Sequence, residues 1–448
     1  MNFIFGYSSS YWSSQMQMMK AAEEELVRFA SRYDGIGVNI KNKDSDYHKL
    51  EVFDTFIPRS VIPLKKGVKC QVYREDNIQK NKGDQISSNK QEDDYLIMHG
   101  IKATSNLIQR DERSAPLVLL HGYANGALYF YRNLLGLAHH HFGGEVYALD
   151  MLGWGLSSRP SLNVKVKPGK DEVDATEDFF VESLEAWRKA NNIKKMILGG
   201  HSMGGYFSVA YCEKYPEHVE RLILISPAGV PDETDMYSLF GNDLSWKQNA
   251  LFHTAAFLWK IGLTPSSVIR SLSESRGKSM VTNYVEGRLP EVTRFDERLH
   301  LSEYLYRNAV LPGSGEQCLN KVLKPFARSK KPTVYRVPKL KVDNVSFIYG
   351  QYDWMDVSAG VKVQRICETM PKEGKHVPNI NVYTVRNAGH LLMLENWEEF
   401  NSAVILAGGG AGKLSHNAPK PKLCHPDEVR ETSYERMRRR FRKTQEVQ

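Results

Sequence analysis

The chain has 448 residues and a formal net charge of +8, with 41% hydrophobic and 25% charged residues. This balance is typical of a globular protein and excludes a wholly disordered, collagen-like or polytopic membrane chain. No apolar run approaches the roughly 18 residues that a membrane-spanning helix requires. The five cysteines are scattered without CxxC spacing. They predict free thiols in a reducing, intracellular compartment, and neither a disulfide framework nor a zinc site.

The N-terminal part of the chain predicts one helix and two strand-like segments. Residues 12–33 are predicted to form an amphipathic helix, because their apolar residues fall near helical spacing: Trp12, Met16, Met19, Leu26 and Phe29. The pattern leaves open whether this helix packs on a core or anchors the protein at a lipid interface. Residues 79–93, with one aliphatic residue, are predicted to be a flexible loop between the strand-like segments KCQVY and YLIMHG.

Short apolar runs alternate with helical patterns over most of the remaining chain. The predicted strands, each closed by turn residues, are APLVLLHG, EVYALD, KKMILGG, RLILIS and NVSFIYG. This alternation predicts an α/β fold with a mostly parallel sheet and helices on both faces. Residues 231–338 differ, because helix-like patterns follow one another there without strands between them. We interpret this stretch as a helical lid inserted above the sheet. Its apolar segment DLSWKQNALFHTAAFLWKIGL would line an acyl-chain tunnel, rest on lipid or pack the lid onto the core.

These patterns divide the chain into five parts. An N-terminal helix and lead-in (1–50) precede the first part of the core (51–230), the lid (231–338), the second part of the core (339–406) and a basic tail (407–448). From Lys413 onward the tail holds ten basic and five acidic residues, including the run MRRRFRK. Such a run can bind an anionic lipid surface or nucleic acid, or can simply be solvated. No nucleic-acid-binding motif accompanies it, so no nucleic-acid partner is expected. The sequence does not indicate the oligomeric state.

A candidate nucleophile lies between a predicted strand and a predicted helix. Gly200, His201, Ser202, Met203 and Gly204 form a G-x-S-x-G motif after KKMIL and before YFSVAYCEKY. In that context the motif predicts a nucleophile elbow, whose glycines permit a turn too tight for flanking side chains and whose serine is raised above the backbone. The helix N-terminus behind Ser202 favours developing negative charge.

A serine hydroxyl needs a base, and the base needs an orienting acid. Asp353 follows the strand NVSFIYG and is the preferred acid, with Asp356 one helical turn beyond as the alternative. His390 follows the strand VYTV and a glycine, and is the predicted base. Acid and base then follow the serine in chain order, which is one of the orders known for such triads.

The reaction of an acyl ester also requires donors for a developing oxyanion. We expect these donors to be the backbone N–H of Met203 and that of Tyr123, in the loop after LVLLHG. His121 stands beside Tyr123 and is predicted to brace this loop rather than to act as a base. The mechanism requires no metal and no organic cofactor.

These motifs, together with YALDMLGWGLSSRP and YCEKYPEHVERLILISPAGVP, resemble one branch of the α/β-hydrolases from about residue 12 to residue 406. The branch comprises the α/β-hydrolase domain-containing proteins 4 and 5, their plant relatives and the fungal cardiolipin-specific deacylases. The segments TPSSVIRSL, YRNAVLPGSGE and YGQYDWMD are most similar to the fungal deacylases. The resemblance implies the α/β-hydrolase fold and acyl-ester chemistry on glycerophospholipids or N-acyl phospholipids. The expected partner is therefore a phospholipid or lysophospholipid substrate. It also implies a peripheral membrane or lipid-droplet location, or a mitochondrial one.

Two positions bear on what the resemblance implies. The lipase co-activator of the branch has asparagine in place of the elbow serine, whereas this chain keeps Ser202. Members of the branch often carry an H-x4-D sequence linked to lysophosphatidic acid acyltransferase activity, and here the sequence runs from His390 to Glu395, with glutamate for aspartate. We expect a serine hydrolase of phospholipid acyl esters, similar to a phospholipase or cardiolipin deacylase, and the His390–Glu395 sequence leaves lysophosphatidic acid acyltransferase activity open as a further activity. A non-lipid esterase of the same fold, or a non-catalytic lipase co-activator or scaffold, is the alternative.

Overall fold

The computed structural model describes residues 9–32, 48–71, 94–106, 114–140, 144–231, 253, 263–325, 327–370, 374, 376–410, 414 and 418–424. Every structural feature given below lies within these ranges. The predicted loop at 79–93, nearly all of the apolar lid segment at 243–263 and the basic run at 437–443 lie outside the described residues.

Nine strands form a sheet at the centre of the molecule. They are β1 (His48–Pro58), β3 (Tyr95–Ser105), β4 (Leu117–Leu120), β5 (Glu145–Leu149), β7 (Met196–His201), β8 (Val219–Ile225), β11 (Asn344–Gly350), β12 (Asn379–Val385) and β13 (Lys422–Leu423). Their order across the sheet is β1-β3-β5-β4-β7-β8-β11-β12-β13. Strands β5 to β12 of this order run parallel, while β1 and β3 at one edge and β13 at the other are antiparallel to their neighbours. The mostly parallel sheet is therefore confirmed.

Helices cover both faces of this sheet. They are α1 (Ser9–Ala30), α2 (Leu134–His140), α3 (Glu172–Ala190), α4 (Met203–Lys214), α5 (Pro265–Ser271), α6 (Glu274–Arg288), α7 (Phe295–Val310), α8 (Leu319–Val322), α9 (Val357–Thr369), α10 (Leu392–Glu395) and α11 (Trp397–Ala407). None of the helices within the described ranges has the length and apolar character needed to cross a membrane.

Successive residues of the central strands point to opposite faces, so a continuous apolar run is buried on both sides. In β4, Val118 and Leu120 join the core with α3, α4 and α9, while Leu117 and Leu119 join the core with α1, α2 and α11. This double burial explains why the predicted strands show no alternation of polar and apolar residues. Because these central strands run parallel, their carboxyl ends lie at the same end of the sheet.

The N-terminal helix begins and ends three residues earlier than predicted, at Ser9 and Ala30. Helix ends are poorly marked by periodicity because weak terminal turns carry little of the apolar pattern. Met19 and Leu26 are fully buried, whereas Met18 is 40% exposed. The apolar face of α1 therefore packs on the core.

The described part of the predicted lid consists of α5 to α8 followed by a small hairpin. The prediction that this stretch contains no strands is wrong, because β9 (Leu323–Lys324) pairs with β10 (Arg328–Ser329). The turn between them places Ala327 at a φ of 54°. Two-residue strands are too short to show a period of two, so the sequence pattern could not reveal them. Of the predicted strand KCQVY, Cys70 and Gln71 form β2, which pairs with β6 (Arg159–Pro160).

Candidate functional site

Ser202 occupies the turn between β7 and α4. Its backbone has a φ of 53° and a ψ of −115°, and its N–H donates to the carbonyl of Ile225 at 2.9 Å. A non-glycine residue with such positive φ is strained, and strain of this kind is concentrated at functional turns. A Cβ placed on Gly200 would lie 2.5 Å from the backbone of Gly204. The glycines are therefore required by the close approach of the two sides of the turn.

Two further loops bring a histidine and a carboxylate to Ser202. His390, after β12, has Nε2 3.2 Å from Ser202 Oγ and Nδ1 3.0 Å from Asp353 Oδ1. Asp353, after β11, also accepts the N–H of Met355 at 2.9 Å. Asp356 instead caps α9 by accepting the N–H of Ser358. The structure thus places Asp353, and not Asp356, against the imidazole.

The charge of the buried carboxylate determines the tautomer of the imidazole. Burial alone raises the pKa of Asp353, but the adjacent His390 outweighs it, and the pKa lies below its ordinary value. An ionised Asp353 can only accept, so His390 Nδ1 carries the proton toward it. His390 Nε2 then presents a lone pair to the Ser202 hydroxyl. This arrangement can remove a proton from the hydroxyl as Ser202 attacks a carbonyl carbon.

His201 and Glu395 contact the main chain at His390. His201 Nε2–H donates to the carbonyl of His390 at 3.0 Å, and burial lowers the pKa of His201 to about 3. Glu395 accepts the N–H of Gly389 and that of Leu391. The sequence placed both residues in motifs but did not indicate these contacts, because they depend on how two distant loops meet.

The loop after β4 approaches Ser202 closely. A Cβ on Gly122 would lie 3.0 Å from Ser202 Cβ, and Tyr123 follows immediately. His121 Nδ1 donates to the carbonyl of Gly122 at 2.7 Å, while its Nε2 accepts the N–H of Met151 at 3.1 Å. Burial lowers the pKa of His121, and the ring therefore stays neutral with its proton on Nδ1. His121 therefore braces the loop in which Tyr123 lies, and Met203 is the first residue of α4 on the other side of Ser202.

Trp354 lies beside the base although no motif singled it out. Its ring centroid is 5.1 Å from that of His390, and 37% of the residue is exposed. The residue directly follows Asp353 in the chain. A large aromatic residue next to a candidate acid was the available signal, because ligand sites are lined mainly by apolar and aromatic side chains around a few polar groups.

A second buried polar cluster lies away from Ser202, where α1 meets the sheet. One ligand-type atom each from Glu23, His99 and Asp150 lies within 4.8 Å of the others. However, His99 Nδ1 is 2.6 Å from Asp54 Oδ1, and His99 Nε2 is 2.9 Å from Glu23 Oε1. Both ring nitrogens thus face carboxylates, which is the arrangement of a charged imidazolium. The cluster ties α1 to β3 across 76 residues of sequence, so no local motif could reveal it.

This cluster predicts a pH-dependent contribution to stability. Burial opposes protonation of His99, but Glu23 and Asp54 outweigh it and raise the pKa of His99 well above 6.5. Stabilisation by a raised histidine pKa is complete below the unfolded-state value and is lost as pH rises through the folded-state value. Replacing His99 by glutamine should therefore lower the unfolding free energy by about 3 kcal/mol near pH 6, and by less at higher pH.

Denaturant unfolding over a pH series measures this difference. Ser183→Ala offers a control, since it changes no titratable group and should give a curve parallel to that of the wild type. Parallel curves for the wild type and His99→Gln would contradict the assignment of a charged His99.

Comparison with known proteins agrees with the fold. A family model described as alpha/beta hydrolase fold matches residues 115–396. The "Probable 1-acylglycerol-3-phosphate O-acyltransferase" of Oryza sativa subsp. japonica is 35% identical over 318 residues, 68% of this chain and 71% of that protein. The "1-acylglycerol-3-phosphate O-acyltransferase" of Arabidopsis thaliana is 34% identical over 304 residues, 66% and 67% of the two chains.

A human relative extends the similarity to animals. The "1-acylglycerol-3-phosphate O-acyltransferase ABHD5" of Homo sapiens is 31% identical over 297 residues, which are 64% of this chain and 76% of that protein. The matched family region contains the elbow, the acid loop and the base loop together. The chain is a member of the α/β-hydrolase fold family, in the branch that contains ABHD5 and its plant relatives.

Proposed function

We propose that the protein is a serine carboxylic-ester hydrolase that acts on phospholipid acyl chains. The observation that carries this proposal is the continuous arrangement of Ser202 Oγ, the His390 imidazole and the Asp353 carboxylate, with separations of 3.2 Å and 3.0 Å. All three groups are largely buried, so bulk water competes little with their hydrogen bonds. Hydrogen-bonded nucleophile, base and acid are the parts that acyl transfer requires.

The proposed reaction has two steps. Ser202 Oγ attacks the acyl carbonyl carbon while His390 Nε2 takes the hydroxyl proton, and the N–H groups of Met203 and Tyr123 stabilise the oxyanion. The bond to the lipid alcohol then breaks, and that alcohol leaves with the proton from His390. In the second step His390 takes a proton from the acceptor, which attacks the acyl-enzyme. The carboxylic acid, or a new ester, leaves and the proton returns to Ser202.

The choice of acceptor separates hydrolysis from transfer. Water yields a free fatty acid, whereas the hydroxyl of a lysophospholipid yields a new phospholipid from the same acyl-enzyme. The relatives named 1-acylglycerol-3-phosphate O-acyltransferases support a lysophosphatidic acid acceptor, and the resemblance to fungal deacylases supports cardiolipin as an acyl donor. We therefore infer that both outcomes arise at Ser202.

A phospholipid substrate resides in a lipid surface. We infer that the protein works as a peripheral protein on a membrane or lipid droplet, with the mitochondrion as the location that the fungal resemblance favours. The exposed Trp354 beside His390 offers apolar surface to an acyl chain or glycerol backbone. A non-lipid esterase would use the same triad on soluble esters. A co-activator or scaffold would not need the aligned hydroxyl of Ser202, which argues against that alternative.

Two measurements test the proposal together. A fluorophosphonate probe, which reacts with activated serines, should label Ser202 in the folded protein and should not label heat-denatured protein. Phospholipid vesicles should be hydrolysed more efficiently than a panel of soluble short-chain esters. A protein that resists labelling while folded would support the scaffold, and a preference for the soluble esters would support the non-lipid esterase.

A further inference from the structure

The main chain at His390 is held by side chains from two directions. Glu395, the last residue of α10, reaches back so that Oε2 accepts the N–H of Gly389 at 2.5 Å and Oε1 accepts the N–H of Leu391 at 3.3 Å. His201 approaches from the nucleophile turn and donates Nε2–H to the carbonyl of His390 at 3.0 Å. The N–H groups of the residues before and after His390, and the carbonyl of His390 itself, are therefore engaged by side chains.

These contacts lie in the interior. Glu395 is 6% exposed and His201 is 1% exposed. Hydrogen bonds of a carboxylate to backbone N–H groups are among the strong ones, and they weaken little where water is excluded. Glu395 is the last residue of the one-turn helix α10, and its carboxylate connects the end of that helix to the backbone on either side of His390.

The use of both Glu395 oxygens explains the H-x4-E spacing. A glutamate five residues after His390, at the end of one helical turn, reaches the two amides that flank the base. Each of its oxygens is engaged by a backbone N–H. His390 Nδ1 faces Asp353 and its Nε2 faces Ser202, so neither ring nitrogen faces Glu395.

We propose that Glu395 and His201 are positioning residues that clamp the main chain at His390, so that the sequence from His390 to Glu395 belongs to the Ser202 machinery and is not a separate acyltransferase centre. This inference rests on the proposed function. The clamp makes acyl transfer and hydrolysis depend equally on Glu395, because both reactions use His390 as the base in the same position. Displacing a catalytic group by about 1 Å can cost on the order of 10²-fold in rate.

The test compares variants at Glu395 in one assay that measures both products. Glu395→Gln replaces one accepting oxygen with an amide nitrogen that cannot accept, so one flanking N–H loses its partner. We expect kcat to fall about 10- to 100-fold for hydrolysis and for transfer to lysophosphatidic acid alike, with KM within about twofold. Glu395→Asp, which restores the H-x4-D form of the relatives, should recover most of the kcat.

Glu399→Gln is the matched control. Like Glu395, Glu399 is a buried glutamate, 2% exposed, that accepts a backbone N–H. The N–H that it accepts belongs to Arg386, which is not adjacent to His390 in the chain. It should lower stability without changing kcat or the ratio of the two products. Equal kinetics for Glu395→Gln and Glu399→Gln would overturn the positioning role. Loss of transfer with hydrolysis retained in Glu395→Gln would overturn the assignment to one centre.

His201→Leu removes the donor on the opposite side of the clamp. It should reproduce the fall in kcat at unchanged KM, whereas His201→Gln keeps an N–H donor and should recover part of the rate. This pair decides the question if Glu395→Gln does not fold. Ser202→Ala separates the proposed function from the clamp. If Ser202→Ala keeps its activity, the proposed function is wrong. If Ser202→Ala is inactive while the Glu395 and His201 variants keep the wild-type kcat, only the clamp is wrong.

Discussion

Replacement of Ser202 by alanine is expected to lower kcat for phospholipid hydrolysis by a factor on the order of 10³ or more. In the proposed mechanism the substitution removes the atom that forms the acyl-enzyme, so the covalent route closes. The remaining rate comes from substrate binding and from the oxyanion donors, which can still assist attack by water. Because Ser202 contributes little to ground-state binding, KM should change only slightly.

The measurement is product formation on phospholipid vesicles, with and without lysophosphatidic acid. Transfer and hydrolysis should disappear together, and labelling by the serine probe should disappear with them. Ser183→Ala is a suitable control, since Ser183 is also buried but donates to the carbonyl of Phe180 within α3. Turnover by Ser202→Ala at a rate near that of the wild type would exclude a covalent mechanism at this serine.

The second large effect is expected at the acid. Asp353→Asn should lower kcat by a factor on the order of 10² to 10⁴, because the amide can present a donor to His390 Nδ1. The imidazole proton then moves to Nε2, and the nitrogen that faces Ser202 can no longer accept the hydroxyl proton. The lowered pKa of Asp353 means that the wild-type carboxylate is already ionised at neutral pH, so the variant removes a charge that the imidazolium requires.

Asp356→Asn provides the comparison three residues away. Asp356 caps α9 through Ser358 and lies outside the His390 contact, so its amide variant should keep kcat within about twofold. The loss of a charged cap should cost less than about 1 kcal/mol of stability. Similar losses of kcat in the two variants would remove Asp353 from its proposed role as the single orienting acid.

Much of the site was predictable because its parts lie in local motifs. Ser202 follows a buried strand and precedes a helix within a glycine-flanked turn, and strand-to-helix turns of that kind have one well-known geometry. Asp353 and His390 each follow a strand of the parallel sheet. Since parallel strands end at the same edge, the order of the elements along the chain predicts that these loops meet.

Features that depend on contacts between distant segments were not predictable in the same way. The choice between Asp353 and Asp356 required the position of the His390 ring, because both carboxylates follow the same strand within one turn. The contact between His99 and Glu23 joins β3 to α1, and the short pairing of β9 with β10 leaves no periodic pattern. In each case the interacting groups are brought together by packing rather than by spacing along the chain.

The amino-acid sequence by itself determined the parallel α/β core and singled out Ser202 and His390 as the candidate nucleophile and base, because hydrophobic runs and glycine-flanked turns act locally. Only the tertiary structure decided which carboxylate faces the imidazole, that the apolar face of α1 packs on the core, and what Glu395 contacts. Hydrogen bonds are directional and short, so a difference of a few ångströms decides whether they form, and that difference arises only when separate segments pack against one another.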